Sequence, residues 1–451
     1  MLIRNAEVEG ALCDLRVEAG KIADILFSLQ SVDGEQSIDA SGAALLPGLH
    51  DHHIHLMATA AAMQSVRCGP PEVADLGALA RVLAEAPGTG WLRGTGYHDS
   101  IGRLDRAWLD THGPGRPVRI QHRGGRLWVL NSRAIDAIGI AAPDDGRLVD
   151  RDRELRQRLG GVRPDLAPLV ARLLARGVTG VTDTTPENGP DDFCHLTEKC
   201  GPLHLVAMGG LGLAEAADRH RAAVGPLKLH YHDHDLPPLE KLASEIAAAH
   251  DQGRNAAMHC VTRAEIMLAL AAFEEAGAEA GDRIEHAAVA DDHIVEWTAR
   301  LGLTVVTQPH FPVLRADAYR KEVEAHDLPH LWPLRRFAEA GVPLAGGSDS
   351  PFEGYDPWLA MACAAKRPEG LSPEEAITPE AALALFTKPS GDAGAAPRKI
   401  AVGEPADLCL IDRNWAEARA DLAAVQVRAT FADGDLVYGS TSSTSPHSSA
   451  V

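Results

Sequence analysis

Six side chains of this sequence share a placement that could do chemistry: His53, His55, Lys228, His259, His286 and Asp349 each close an otherwise apolar run. In Leu46-Pro47-Gly48-Leu49-His50-Asp51-His52-His53-Ile54-His55, two histidines spaced by two project to the same side of a strand. Imidazole is the commonest protein ligand for zinc and similar ions, so this pair reads as half of a metal site. Singly, each residue has a plainer explanation. The H-x-H can be a polar loop, His259 or His286 a satisfied core histidine, Lys228 a salt-bridge partner and Asp349 a turn or cap residue. Six such residues in strand order favour a shared site.

The elements that must position them repeat through the centre of the chain. Apolar runs end near His55, then at Gly180-Val181-Thr182-Asp183, Leu203 to Met208, Leu227 to His230, Ala256 to His259, Arg283 to His286, Leu303 to Gln308 and Pro343 to Asp349. Ala/Leu/Glu-rich helical stretches alternate with them, a pattern that predicts a parallel sheet covered by helices. Eight strands make an α/β fold of the (β/α)₈ TIM-barrel type, in which strand C-termini converge on one face. Short strands also occur at both ends, within 1–48 and 400–438, and these predict one β domain built from the two termini around a barrel at 49–399. An excursion at about 67–160 falls between the first two barrel strands, where long ordered insertions form lids or specificity loops. The Ser/Thr-rich segment 439–451 reads as a disordered tail.

Composition narrows the partners. A net charge of −20 opposes nucleic-acid and anionic-membrane surfaces, leaving a small-molecule substrate as the expected partner and a homodimer as an open expectation. The seven cysteines are scattered, without a C-x-x-C, and fit free thiols in a reducing compartment. With neither a signal-peptide pattern nor a long uncharged apolar run, the expected location is the cytoplasm.

Pro47, Gly48, Asp51, His53 and His55 match a Pro-Gly-x-x-Asp-x-His-x-His pattern, and Gly347-Ser348-Asp349 precedes Pro351. In these motifs, and over nearly its whole length, the chain resembles the amidohydrolase superfamily of metal-dependent hydrolases. Its Trp91, Asn131-Ser132, His259 and Arg283-Ile284-Glu285-His286-Ala287 are similar to the branch that includes N-substituted formamide deformylase. The resemblance implies that the terminal strands form a β-sandwich. It also implies that His53, His55 and Asp349 hold one metal, that His259 and His286 hold a second, and that Lys228 bridges them as a carbamate. Single-metal members leave a one-ion site open, with Lys228 then a neutral amine or an ion-pair partner. Zinc is the expected ion, one or two per chain, with other divalent transition metals possible.

The implied reaction is hydrolysis of a non-peptide, amide-like C–N bond by a metal-activated hydroxide, with Asp349 moving the proton. Lactone or ester hydrolysis uses the same site, and a non-catalytic barrel scaffold is the rival from another class. A deaminase fits less well, because His259-Cys260-Val261-Thr262 lacks the glutamate such relatives carry. The chain departs from its branch at Gly125-Arg126-Leu127-Trp128, so Arg126 is either a solvated charge or a fork for a substrate carboxylate. The run Tyr231-His232-Asp233-His234-Asp235 is also unusual; it could bind a surface ion, and its plainer reading is a solvated loop. Tyr97, His122 and His310 complete the candidate substrate contacts.

Overall fold

The computed structural model describes residues 1–160, 163–367 and 371–440, so the expected tail lies outside the described residues from 441 onward. The chain forms two compact units, Met1–His55 with Ala167–Val451, and Leu56–Leu166. The larger unit is built on eight strands: β1 (Leu49–Ile54), β2 (Val178–Asp183), β3 (His204–Gly209), β4 (Ala222–Leu229), β5 (Ala256–Cys260), β6 (Arg283–His286), β7 (Thr304–Thr307) and β8 (Leu344–Gly346). Each pairs in parallel with its neighbours in that order, as expected for a TIM barrel. β1, β2, β6 and β7 are buried at every position, because a parallel sheet under helices has no face toward water.

Local chemistry fixes where the helices begin. Directly after β5, the Thr262 hydroxyl accepts from the Glu265 amide while Glu265 accepts from the Thr262 amide, starting the helix Arg263–Ala276. Its Ile266, Ala269, Leu270 and Phe273 are buried, the spacing of one helical face. The βα turn is thereby held to two residues, which keeps His259 at the end of a short, rigid connection.

β8 returns to β1 through its C-terminal end. The Asp349 amide donates to the His53 carbonyl at 2.7 Å, the His55 amide to the Ser350 carbonyl at 3.0 Å, and the Ser348 amide to Asp51 Oδ1 at 2.9 Å. Gly347 permits this approach, since a Cβ there would stand 2.4 Å from His53 Cβ and 2.6 Å from its backbone nitrogen. Burial pushes the Asp51 carboxyl up to about 6.

The termini form two four-stranded sheets. One orders Lys21–Leu26, Ala11–Glu18, Leu2–Val8 and Ser37–Asp39; the other orders Asp435–Tyr438, Val427–Ala432, Leu408–Ile411 and Leu45–Pro47. Ile3, Leu15, Ile22, Leu45, Leu408, Leu410 and Phe431 share one core, so the two ends of the chain bury each other's apolar faces. Leu45–Pro47 pairs antiparallel with Leu408–Ile411 across almost the entire chain.

The smaller unit contains the stretch read as an excursion. It has a five-stranded sheet, ordered Arg147–Val149, Leu127–Leu130, Val118–His122, Leu92–Tyr97 and Val66–Arg67, over a core that includes Leu79, Leu83, Leu109, Val118 and Ile120.

Candidate metal centre

Three histidine and carboxylate atoms meet at the C-terminal end of the barrel. His53 Nε2 and His55 Nε2 each lie 3.3 Å from the same oxygen, Asp349 Oδ1. The ligand atoms of His53, His286 and Asp349 also lie within 4.8 Å of one another. The His53 ring is 4.7 Å from that of His286, which is 4.6 Å from that of His259.

The opposite ring nitrogens are occupied. His53 Nδ1 is paired with Glu285, His286 Nδ1 with Gln308 Oε1 at 2.7 Å, and His55 Nδ1 with Thr185 Oγ1 at 3.3 Å. Such contacts fix the ring orientation and leave Nε2 as the free ligand atom, the arrangement a bound transition metal requires. The donor set of imidazole and carboxylate also suits zinc.

Backbone conformation explains how neighbouring residues serve one cavity. Successive side chains of a strand face opposite sides, so Arg283 and Glu285 point inward together and His286 should point away. His286 and Ala287 instead take φ of 69° and 49°, and Asp349 takes 53°, all in the left-handed region. That conformation turns His286 back toward the interior, and its occurrence in non-glycine residues is typical of functional sites.

Glu285 is wholly buried at the centre of the site's charge network. It accepts from Arg283 Nε at 2.5 Å, faces His53 Nδ1 and lies 3.9 Å from Lys228 Nζ. Burial raises its pKa, but the positive charges of Arg283, Lys228 and His53 prevail and hold it well below the usual carboxylate range. Asp349 is likewise held down by His53 and His55 against the opposing effect of burial. Burial lowers Lys228, whose Nζ makes no hydrogen bond, and depresses His259 and, to about 3, His286.

Among the candidate substrate contacts, His310 is 2% exposed and burial lowers it to about 4. Metal-free protein should therefore lose stability as the pH falls from 6.5 toward 4, where the unfolded chain binds a proton that folded His310 refuses. Between pH 7.5 and 5 the difference is ~2 kcal/mol. Urea midpoints should fall more in the parent than in His310→Asn; equal losses would place His310 in a wetter setting.

The other three candidates have partners inside the smaller unit. The Tyr97 hydroxyl donates to Asp99 at 2.7 Å or to the Gly102 carbonyl at 3.0 Å and accepts from the Leu104 amide. His122 lies 3.8 Å from Asp99, and burial lowers its pKa. Arg126 presents its fork to both oxygens of Asp150, with Nε at 2.6 Å from Oδ1.

A second histidine–carboxylate group lies elsewhere in the larger unit. His204 Nε2 is 3.2 Å from Asp407 and 3.4 Å from Asp433, while Arg221 and Arg398 pair with those same carboxylates. The arginines balance the charge, and the group is an ion-pair clamp between β3 and the terminal sheet. Sequence reasoning missed Glu285, Gln308 and His230. Glu285 was visible only as the residue before a candidate ligand, and His230 as the end of the fourth apolar run.

The amidohydrolase family model matches residues 36–438. N-substituted formamide deformylase of Arthrobacter pascens is 26% identical over 494 residues, covering 90% of this chain and 90% of that protein. An uncharacterized metal-dependent hydrolase from Pyrococcus furiosus superimposes with a TM-score of 0.75 at 22% identity, over 91% of this chain and 98% of its own. Atrazine chlorohydrolase TrzN from Arthrobacter aurescens TC1, complexed with zinc, gives 0.58 at 15% identity, over 97% and 95%.

Proposed function

Since this chain belongs to the amidohydrolase family of metal-dependent hydrolases, we propose that it uses zinc to cleave an amide-like C–N bond of a small molecule. The observation that carries this reading is the convergence of His53 Nε2 and His55 Nε2 on Asp349 Oδ1 at 3.3 Å each, with both Nδ1 atoms engaged elsewhere. His53, His55 and Asp349 would hold one ion, and His259 and His286 the second. Lys228 would bridge them after its neutral amine takes up carbon dioxide as a carbamate. The relative that acts on formamides and the zinc-bound structural neighbour support the bond type and the ion.

The chemistry a divalent transition metal would supply in such a site is a lowering of the pKa of water toward ~7 and polarisation of the substrate carbonyl. The protein's part is orientation and proton transfer. Glu285 and Gln308 keep the Nδ1 atoms of His53 and His286 occupied. Asp349, at the inner rim, accepts a proton from the attacking water and returns it to the leaving nitrogen as the C–N bond breaks, giving an acid and an amine. His310 is the candidate contact from beyond β7.

Purified protein should carry one or two transition-metal ions per chain, measured by elemental analysis, and His53→Ala/His55→Ala should empty at least one site. Full occupancy in the double variant would end the assignment. A turnover screen over N-acyl amines, cyclic amides, esters and lactones tests the bond. An ester or lactone outrunning every amide would replace it.

A further inference from the structure

His230 occupies the rim of the same cavity. β4 and β5 pair as Lys228 with Ala257 and Leu229 with Met258, so one further step of that register sets His230 beside His259. The next pair across, His259 with Glu285, continues the same level around the barrel. Lys228 stands one level deeper, beside Ala257 and Arg283, and reaches the site only through the length of its side chain. His230 is therefore the β4-end residue level with the imidazole layer. Being two residues beyond Lys228, it faces the same side.

The rings bear this out. His230 packs on His259 with centroids 4.1 Å apart and an interplanar angle of 36°. His259 in turn lies 4.6 Å from His286. Three imidazoles from the ends of three successive strands are thus contiguous. On one tetrahedral zinc, Zn–N bonds of ~2.0–2.1 Å hold imidazole centres about 5 Å apart, close to the 4.1 Å and 4.6 Å that separate His259 from its two neighbours here. His230 is an exposed residue, so the rim it occupies is open to an incoming ion. Among the described residues nothing hydrogen-bonds that ring, so no other partner holds its nitrogens.

We infer that His230 is a ligand of the second ion, which is then held by three imidazoles, His230, His259 and His286, in addition to whatever Lys228 supplies. This inference rests on the metal reading above and extends its ligand set. His232 and His234 continue outward, with ring centroids 4.8 Å and then 5.6 Å apart from one histidine to the next, and are not part of it.

The test is titration of the metal-free full chain with cobalt(II), following visible absorption and binding stoichiometry, in the parent, His230→Ala and His230→Gln. The parent should take up two ions. His230→Ala should keep the first with parental affinity and bind the second at least tenfold more weakly, with altered visible bands; His230→Gln, which retains a side-chain oxygen donor, should fall between. Parental affinity and spectrum for both ions in His230→Ala would overturn the assignment and leave the metal reading intact. A parent that binds no cobalt would overturn the metal reading itself, and a parent that binds only one would remove the second ion and this inference together. Should His230→Ala fail to fold, judged by its metal-free melting curve, parental cobalt binding in His230→Gln would overturn the inference.

Discussion

Asp349→Asn should keep most of its metal yet lose turnover by ~10²–10⁴-fold, the factor attributed to a positioned acid–base group. Asparagine is nearly isosteric, and it is among the few residues that tolerate the left-handed backbone found at position 349, where φ is 53°. The closing hydrogen bond from the residue 349 amide to the His53 carbonyl, 2.7 Å in the parent, does not depend on the side chain. What disappears is a carboxylate 3.3 Å from two Nε2 atoms that can also carry a proton. Metal per chain and kcat should be measured on one preparation, with any substrate from the screen. Near-normal kcat at full metal would remove Asp349 from the mechanism. Loss only in step with lost metal would leave it a ligand without the proton-transfer role.

The second large effect concerns the fold as much as the site. Glu285→Ala should destabilise the protein by ~3–5 kcal/mol, because it leaves Arg283 buried without the carboxylate it now contacts at 2.5 Å. It also releases His53 Nδ1, and losing such a partner of a metal-ligating histidine typically weakens metal binding 10–100-fold. Glu285→Gln keeps the shape and one accepting oxygen, so it should recover much of the stability while remaining impaired in metal affinity. Denaturant midpoints of metal-free protein and competitive chelator titrations read the two effects separately. Unchanged midpoints in Glu285→Ala would show that water replaces the carboxylate around Arg283.

How much of this was legible beforehand follows from the range of each signal. The barrel is written locally, as apolar runs of strand length separated by helical stretches, and eight runs were found at the positions of eight strands. The convergence of His53 and His55 follows from strand alternation alone. Glu285 was not legible for the same reason: alternation assigns Glu285 and His286 to opposite faces, and only the left-handed turn at His286 brings both inward. A residue without glycine's freedom announces no such turn in sequence. Nor does sequence announce ion pairs made across a sheet, such as Arg126 with Asp150, which turn an apparently unpaired cation into a paired one. His230 was counted as the last residue of an apolar run because its role depends on the register with β5, which single-sequence periodicity does not specify.

The antiparallel pairing of Leu45–Pro47 with Leu408–Ile411 bears on how the protein is made. On a ribosome adding ~5–20 residues per second, the first of these strands emerges tens of seconds before the second. During that interval the apolar faces of Leu2–Val8 and Ala11–Glu18 lack the C-terminal half of their core. Open strand edges and uncovered apolar surface are what holding chaperones bind and what drives nascent chains to aggregate. Nascent chains of this protein should therefore engage such chaperones through residues 2–18 and be released only after residues 408–431, which supply the other half of the core, have been made.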